Sequence, residues 1–288
     1  MFRDTKAALV FILPAFVFIG LFKIWPIVLS FGESFTFTSI TGAKTFVGLE
    51  NYGYLFTEDP VFWGSVKTTV LYSLMINPLT VAAALGLALL FNRKARYTGF
   101  FRTLSFLPSA ISMSVVAVVW GIILDPYYGL ANSMLRMVGL APQPFLTSST
   151  QALMCLAAIS LWRSAGYWMM FFLAGLQGIP HEIYEAADID GASGLQKTFR
   201  ITLPLLTRTT SFVLVANTAF NFLTFAPVYI LTKGGPRGST NLLMYESFKS
   251  AFVNLDIGRA TAISSILLVI ILLIAVVELR LTRASFDY

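Results

Sequence analysis

Apolar residues run along this chain in long stretches separated by short polar ones, the arrangement expected of repeated membrane crossings. A helix needs about 20 residues to cross the hydrocarbon core. Six segments reach that length, at 7–31, 64–91, 100–124, 151–177, 205–231 and 258–280, and they predict an all-α polytopic membrane protein with six transmembrane helices. The run at 7–31 exceeds the about 7–15 residues of a signal-peptide core, and no small-x-small cleavage site closes it, so it reads as a retained span. A tight turn, 92–99, joins the second and third spans; 125–150, with Pro126, Pro142 and Pro144, joins the third and fourth and predicts a short helix near 130–138. Pro14, Pro26, Pro78, Pro108 and Pro227 fall in or beside spans, each removing a backbone hydrogen bond that neighbours or water must replace. Both ordinary kinks in a packed bundle and kinked helices around a moving pathway fit these prolines.

Charge placement orients the spans. Arg3 and Lys6, then Arg93, Lys94 and Arg96, then Arg280 and Arg283 fall on one side of a six-span chain, so the positive-inside rule puts both termini in the cytoplasm. The opposite side receives 31–63, where Glu33, Glu50, Glu58 and Asp59 outnumber Lys44. The loop 232–256 runs against the rule with Lys233, Arg237 and Lys249, but the overall tally holds. Trp25, Trp63 and Trp120 land near outer ends, where an interfacial aromatic belt belongs.

Composition agrees: 57% of residues are hydrophobic and 12% charged, against about 25% charged in a soluble domain. A net charge of +6 raises nucleic acid as a partner, yet the cations sit in short clusters between apolar runs, which is a topology signal instead. One cysteine, Cys155, and one histidine, His181, exclude a disulfide framework and argue against a Cys/His metal site. Cys155 lies within an apolar run and reads as a packing residue.

The loop 178–204, on the predicted cytoplasmic side, departs from this pattern. Pro180 suits the first position of a helix, Glu182 and Glu185 suit its positive end, and Gly191 can take the left-handed conformation that closes it. Ile183, Ala186, Ala187 and Asp190 share one narrow face of small residues, and 192–200 offers a second short helix before Pro204. An amphipathic connector resting on lipid is one reading of this spacing. The face is poor in large apolar groups, and Glu182, Glu185, Asp188 and Asp190 are repelled by anionic headgroups, so a protein partner is favoured.

Glu185, Ala186 and Ala187 with Gly191 four positions on, followed by Ile201, Leu203 and Pro204, resemble the EAA signature of permeases in binding-protein-dependent ABC importers. The run EAADIDGASGLQKTFRITLPLL is most similar to the carbohydrate branch, including maltose and glycerol-3-phosphate permeases. The similarity extends back through 173–180 and forward to Gly234, Gly235 and Pro236. It implies a type I importer permease fold whose coupling loop docks into a cleft of the nucleotide-binding subunit. Carried onto this chain, Glu182, Glu185, Ala186, Ala187, Asp190 and Gly191 would transmit ATP-driven closure to the membrane helices. The resemblance also implies a bacterial inner-membrane assembly. Its other members would be a second homologous permease, two ATPase subunits holding ATP and Mg, and a periplasmic or extracellular solute-binding protein. The chain has no phosphate loop of its own, since Gly42, Ala43, Lys44 and Thr45 lack the preceding glycine. No enzyme activity and no bound cofactor are therefore expected.

Ionisable residues at membrane depth are functional candidates by default. Ser160, Arg163, Ser164 and Tyr167 recur at three- and four-residue spacing on one face of the fourth span, and Asn217, Asn221 and Thr224 do so on the fifth. Two such stripes can line a path for a hydroxyl-rich solute, and Arg163 would favour an anionic sugar derivative. Interhelical hydrogen bonding explains the same residues, and Arg163 also suits a buried ion pair. In maltose-type permeases the sugar contacts these two helices, and Tyr167 and Asn221 stand at similar places. A secondary transporter driven by an ion gradient is the competing reading, but the spans carry almost no Asp or Glu apart from Glu278.

Overall fold

A computed structural model describes residues 4–38, 43–92 and 96–282. Arg3, Gly42, Arg93, Lys94 and Arg283, which enter the reading of charge and motifs, lie outside the described residues. Among the described residues, helices joined by turns and short connections make up the chain, with one β-hairpin. In order come α1 (Asp4–Ile19), α2 (Trp25–Glu33), β1 (Thr36–Thr38), β2 (Lys44–Phe46), α3 (Glu50–Thr57), α4 (Pro60–Phe91), α5 (Thr98–Ala110), α6 (Met113–Ile123) and α7 (Leu130–Met137). After them follow α8 (Ala152–Gln177), α9 (His181–Ile189), α10 (Gly194–Lys197), α11 (Leu203–Leu205), α12 (Thr207–Phe222), α13 (Leu243–Phe252) and α14 (Ile257–Leu281).

Two compact units form: Met1–Trp63 with Glu246–Val269, and Gly64–Tyr245 with Ile270–Tyr288. In the first, α1 continues through a π turn at Gly20–Ile24 into α2, and no residue of this apolar rod from Phe11 to Glu33 is buried. The hairpin pairs Thr36 with Phe46, Phe37 with Thr45 and Thr38 with Lys44, a β-branched and aromatic composition suited to a strand. Asp59 starts α4: its Oδ1 accepts from the amides of Val61 and Phe62, both at 3.0 Å, and Pro60 needs no donor in a first turn. Asp59 Oδ2 also meets Arg259, whose guanidinium reaches Glu246 at 3.0 Å and the Ser250 hydroxyl at 2.7 Å.

The second unit packs α4, α8 and α12 around Ala84, Ala88, Met169, Phe172, Leu176, Leu206 and Val213. Gly166 lets α8 approach α5 so closely that a Cβ there would strike the Ser105 backbone carbonyl.

Among the described residues, three helical stretches are long and apolar enough to cross a membrane, Phe11–Glu33, Pro60–Phe91 and Ile257–Leu281, or four if α5 and α6 count as one broken span. The six expected spans are not all met on those criteria. α5 and α6 bend by 95° about a short break, where Ile111 and Ser112 are extended, with ψ of 138° and 136°. The fifth expected span stops at Phe222, and the chain resumes as a π turn at Val228–Thr232 after Pro227. α8 is 26 residues long but carries Ser160, Arg163 and Ser164, while α12 has only 16 residues. The polar residues read as candidate chemistry thus lower the apolarity of the helix that carries them.

Candidate functional site

A cavity of about 570 Å³ lies in the second unit, between α8 and α12 and beside the breaks that follow α5 and α12. Ser160, Arg163, Ser164 and Tyr167 line it from α8; Asn217, Asn221 and Thr224 line it from α12 and the turn after it. Helical spacing puts each set on one face, and the packing of α8 beside α12 turns the two faces into one wall. Apolar Met113, Trp168, Phe220, Leu223 and Phe225 share the lining, so the polar groups are interleaved with apolar side chains. Tyr167 is fixed edge-on against Trp168, with ring centroids 4.9 Å apart, and against Phe171 at 5.3 Å.

Arg163 has no acidic partner among the described residues. Its Nε donates to the Ile111 carbonyl at 3.1 Å and its Nη2 to the Ser109 carbonyl at 3.5 Å. Both carbonyls belong to the end of α5, where a helix leaves its last acceptors unpaired and cations are favoured. The ion pair considered from sequence is therefore replaced by a helix-end cap that still borders the cavity.

Apart from Glu278, the residues behind this wall were not singled out from sequence. The Tyr72 hydroxyl donates to Ser160 Oγ at 2.8 Å and lies within reach of the Thr224 hydroxyl. Asn77, 7% exposed, accepts at Oδ1 from the side-chain amides of Asn217 (2.6 Å) and Asn221 (2.5 Å). Its own amide donates to Ser73 Oγ at 2.9 Å and Thr218 Oγ1 at 2.7 Å. Thr218 in turn donates to Glu278 Oε1 at 2.8 Å. An asparagine one residue before Pro78, inside an apolar run, was the available signal.

The loop 178–204 forms α9, then α10, a π turn at Thr198–Thr202 and α11. Pro180 is the residue before α9, extended at φ −56° and ψ 138°, and not the first helical position. Gly191 has φ +73°, and the amides of Gly191 and Ala192 return to the carbonyls of Asp188 and Ala187, which is the Schellman closure. Ser193 and Gln196 cap α10 reciprocally. Glu182, Glu185, Ala186, Asp190 and Gly191 are exposed, but Ala187 is buried by the chain itself. The small-residue face is therefore split. Its Ala187 edge packs inward beside Tyr184, whose hydroxyl meets Thr202 at 3.0 Å, and large apolar Ile189, Leu195 and Phe199 stand exposed instead. Among the described residues no group of three or more His, Cys, Asp or Glu side chains is placed to hold a metal ion.

A family model described as "Binding-protein-dependent transport system inner membrane component" matches residues 76–284. Among relatives, the chain is 33% identical over 277 residues to the sn-glycerol-3-phosphate transport system permease protein UgpA of Agrobacterium fabrum, covering 96% of this chain and 94% of that protein. It is 38% identical over 281 residues to the probable ABC transporter permease protein YurN of Bacillus subtilis, covering 96% and 95%. Among solved structures, a bacterial ABC transporter involved in the import of the acidic polysaccharide alginate superposes with a TM-score of 0.86 at 23% identity, covering 99% of this chain and 97% of that one. That likeness shows the fold, and with the family match it is the all-α, multi-spanning membrane permease fold of the ABC-importer type.

Proposed function

Because this chain belongs to the family of binding-protein-dependent transport system inner membrane components, and is a non-catalytic permease subunit of an ATP-driven importer, we propose that its solute crosses beside the α8–α12 cavity. The observation that carries this reading is the convergence of Ser160, Arg163, Ser164, Tyr167, Asn217, Asn221 and Thr224 on one cavity wall. Hydroxyls, amides and an aromatic ring edge replace the hydration of a polyhydroxy solute. The solute class is a sugar or sugar derivative handed over by a solute-binding protein, in keeping with the glycerol-3-phosphate systems of the relatives. Arg163 supports an anionic member of that class.

The chain forms half of the pathway and a second, similar permease forms the other half. It crosses the inner membrane six times with both termini in the cytoplasm; α5 with α6 make one broken span, and α8 and α12 make two more. Loop 178–204 is then cytoplasmic, and its exposed Glu182, Glu185, Ala186, Asp190 and Gly191 meet one of two ATPase subunits. ATP and Mg belong to those subunits.

Reconstitution of the complete complex in proteoliposomes tests this. Uptake of a labelled sugar should require ATP hydrolysis, and Tyr167→Ala or Asn221→Ala should lower it at least tenfold while ATPase subunits remain bound. Uptake that persists without ATP hydrolysis and follows an ion gradient would overturn the importer reading. Wild-type uptake in both variants would move the pathway elsewhere.

A further inference from the structure

α4 supplies no residue to the cavity wall, yet two of its side chains hold the wall's polar groups from behind. The direction of each hydrogen bond in this relay follows from its far end. With the Glu278 carboxylate ionised, its Oε1 can only accept, so the Thr218 hydroxyl hydrogen is committed to it. Thr218 can then only accept from its other neighbour, and the Asn77 amide must turn its NH2 group toward Thr218 and Ser73. That leaves Asn77 Oδ1 as an acceptor, and Asn217 and Asn221 must both present NH2 groups to it. Their carbonyl oxygens are consequently the ends left over. Among the described residues nothing donates to those two oxygens, and neither is a buried orphan.

We infer that Asn77 is a positioning residue for solute selection: through the chain Glu278–Thr218–Asn77 it turns the Asn217 and Asn221 carbonyl oxygens toward the solute, so that the wall reads hydroxyl hydrogens. This rests on the cavity being the solute path. The geometry supports a fixed orientation, because Asn77, Asn217, Thr218 and Asn221 are all buried and their bonds run from 2.5 to 2.9 Å. A buried amide rotated the wrong way would set donor against donor, which a low-dielectric site penalises strongly. Tyr72 acts in the same sense on Ser160: it donates to the serine oxygen, which leaves the Ser160 hydroxyl hydrogen for other use. The ligand class that fits two fixed acceptors in this wall is a polyol or sugar whose hydroxyl groups donate.

The test measures a ratio, which does not depend on how much complex folds. Proteoliposomes holding the full complex take up sn-glycerol 3-phosphate and a panel of neutral and acidic sugars, each paired with its deoxyfluoro analogue, in which fluorine cannot donate. The parent of at least one pair should be preferred by about tenfold, the size of one well-made hydrogen bond. Asn77→Ala and Thr218→Val should each reduce that preference to within about threefold, whereas Thr218→Ser, which keeps the hydroxyl, should retain it. Asn217→Ala and Asn221→Ala calibrate the path itself. If those two leave the preference unchanged, the cavity reading fails. If they abolish it while Asn77→Ala and Thr218→Val do not, the relay alone is overturned. A wild-type complex that prefers no parent over its analogue also overturns the acceptor assignment.

Discussion

The Arg163 guanidinium donates to the Ile111 carbonyl at 3.1 Å, so a cation bordering the cavity also satisfies the break between α5 and α6. On the pathway proposed above, solute and scaffold compete for one side chain. Arg163→Lys keeps the charge but loses the planar fork that reaches both Ile111 and Ser109. Thermal unfolding of the purified complex should show Lys and Gln variants destabilised alike, by about 1–3 kcal/mol for a lost charged hydrogen bond. Uptake should separate them, with Lys retaining a preference for anionic over neutral sugars and Gln losing it. Equal preference in the two variants would leave Arg163 as a helix cap only.

Asp59, Arg259 and Glu246 make a second predictable device. Arg259 joins two carboxylates that are only 4% and 1% exposed, and Lys249 meets the second of them at 2.8 Å. Removing the central cation leaves Asp59 without a counter-charge, which costs about 3–5 kcal/mol for a broken buried pair. Arg259→Met should thus lose most folded protein, read as detergent-resistant complex on size exclusion. Adding Asp59→Asn, which still accepts from the α4 amides, should recover a measurable part. No recovery in the double variant would mean that the stranded charge is not the cause.

How much of this was legible beforehand follows from distance along the chain. Lipid demands continuous apolar surface, so α4 and α14 stand out as long runs at 64–91 and 258–280. The two polar stripes are visible for a similar local reason, because residues three and four apart share a helix face. Pro108 signals a kink, but not a 95° bend, whose freed carbonyls are met by Arg163 more than 50 residues away. Tyr72 and Asn77 are hidden in the same way: their partners lie 88 and 140–144 positions on. The face of α9 covered by the chain itself escapes because packing beside Thr202 decides it. α3, the hairpin and α13 are short elements inside polar connections, with too few turns for any period to register.

At Gly166 α8 and α5 approach tightly, since a Cβ would strike the Ser105 backbone and backbone cannot swing aside. Gly166→Ala should destabilise by about 1–3 kcal/mol, the range for overpacking. Gly86→Ala in α4 is the matched comparison, with nothing within 4 Å of its added Cβ, and should be neutral or gain about 0.5–1 kcal/mol from helix propensity. Thermal melts of the two variants in one detergent decide this. Equal melting temperatures would mean that the α5–α8 contact relaxes without cost.

Gly191 isolates the mechanical role proposed for loop 178–204. Its φ of +73° disfavours a side chain, yet a Cβ there meets open space, so any penalty comes from the backbone alone. Gly191→Val should distort the Schellman closure at a cost of about 1–2 kcal/mol, while Gly191→Asn, which tolerates the left-handed region, should preserve it. With the assembled importer, the ratio of solute moved to ATP hydrolysed should fall several-fold for Val and stay near wild type for Asn. A plain loss of a surface contact would affect both substitutions equally, because each adds bulk at the same exposed point. The Val–Asn difference therefore reads backbone conformation, and its absence would remove Gly191 from the coupling path while leaving the α8–α12 cavity argument intact.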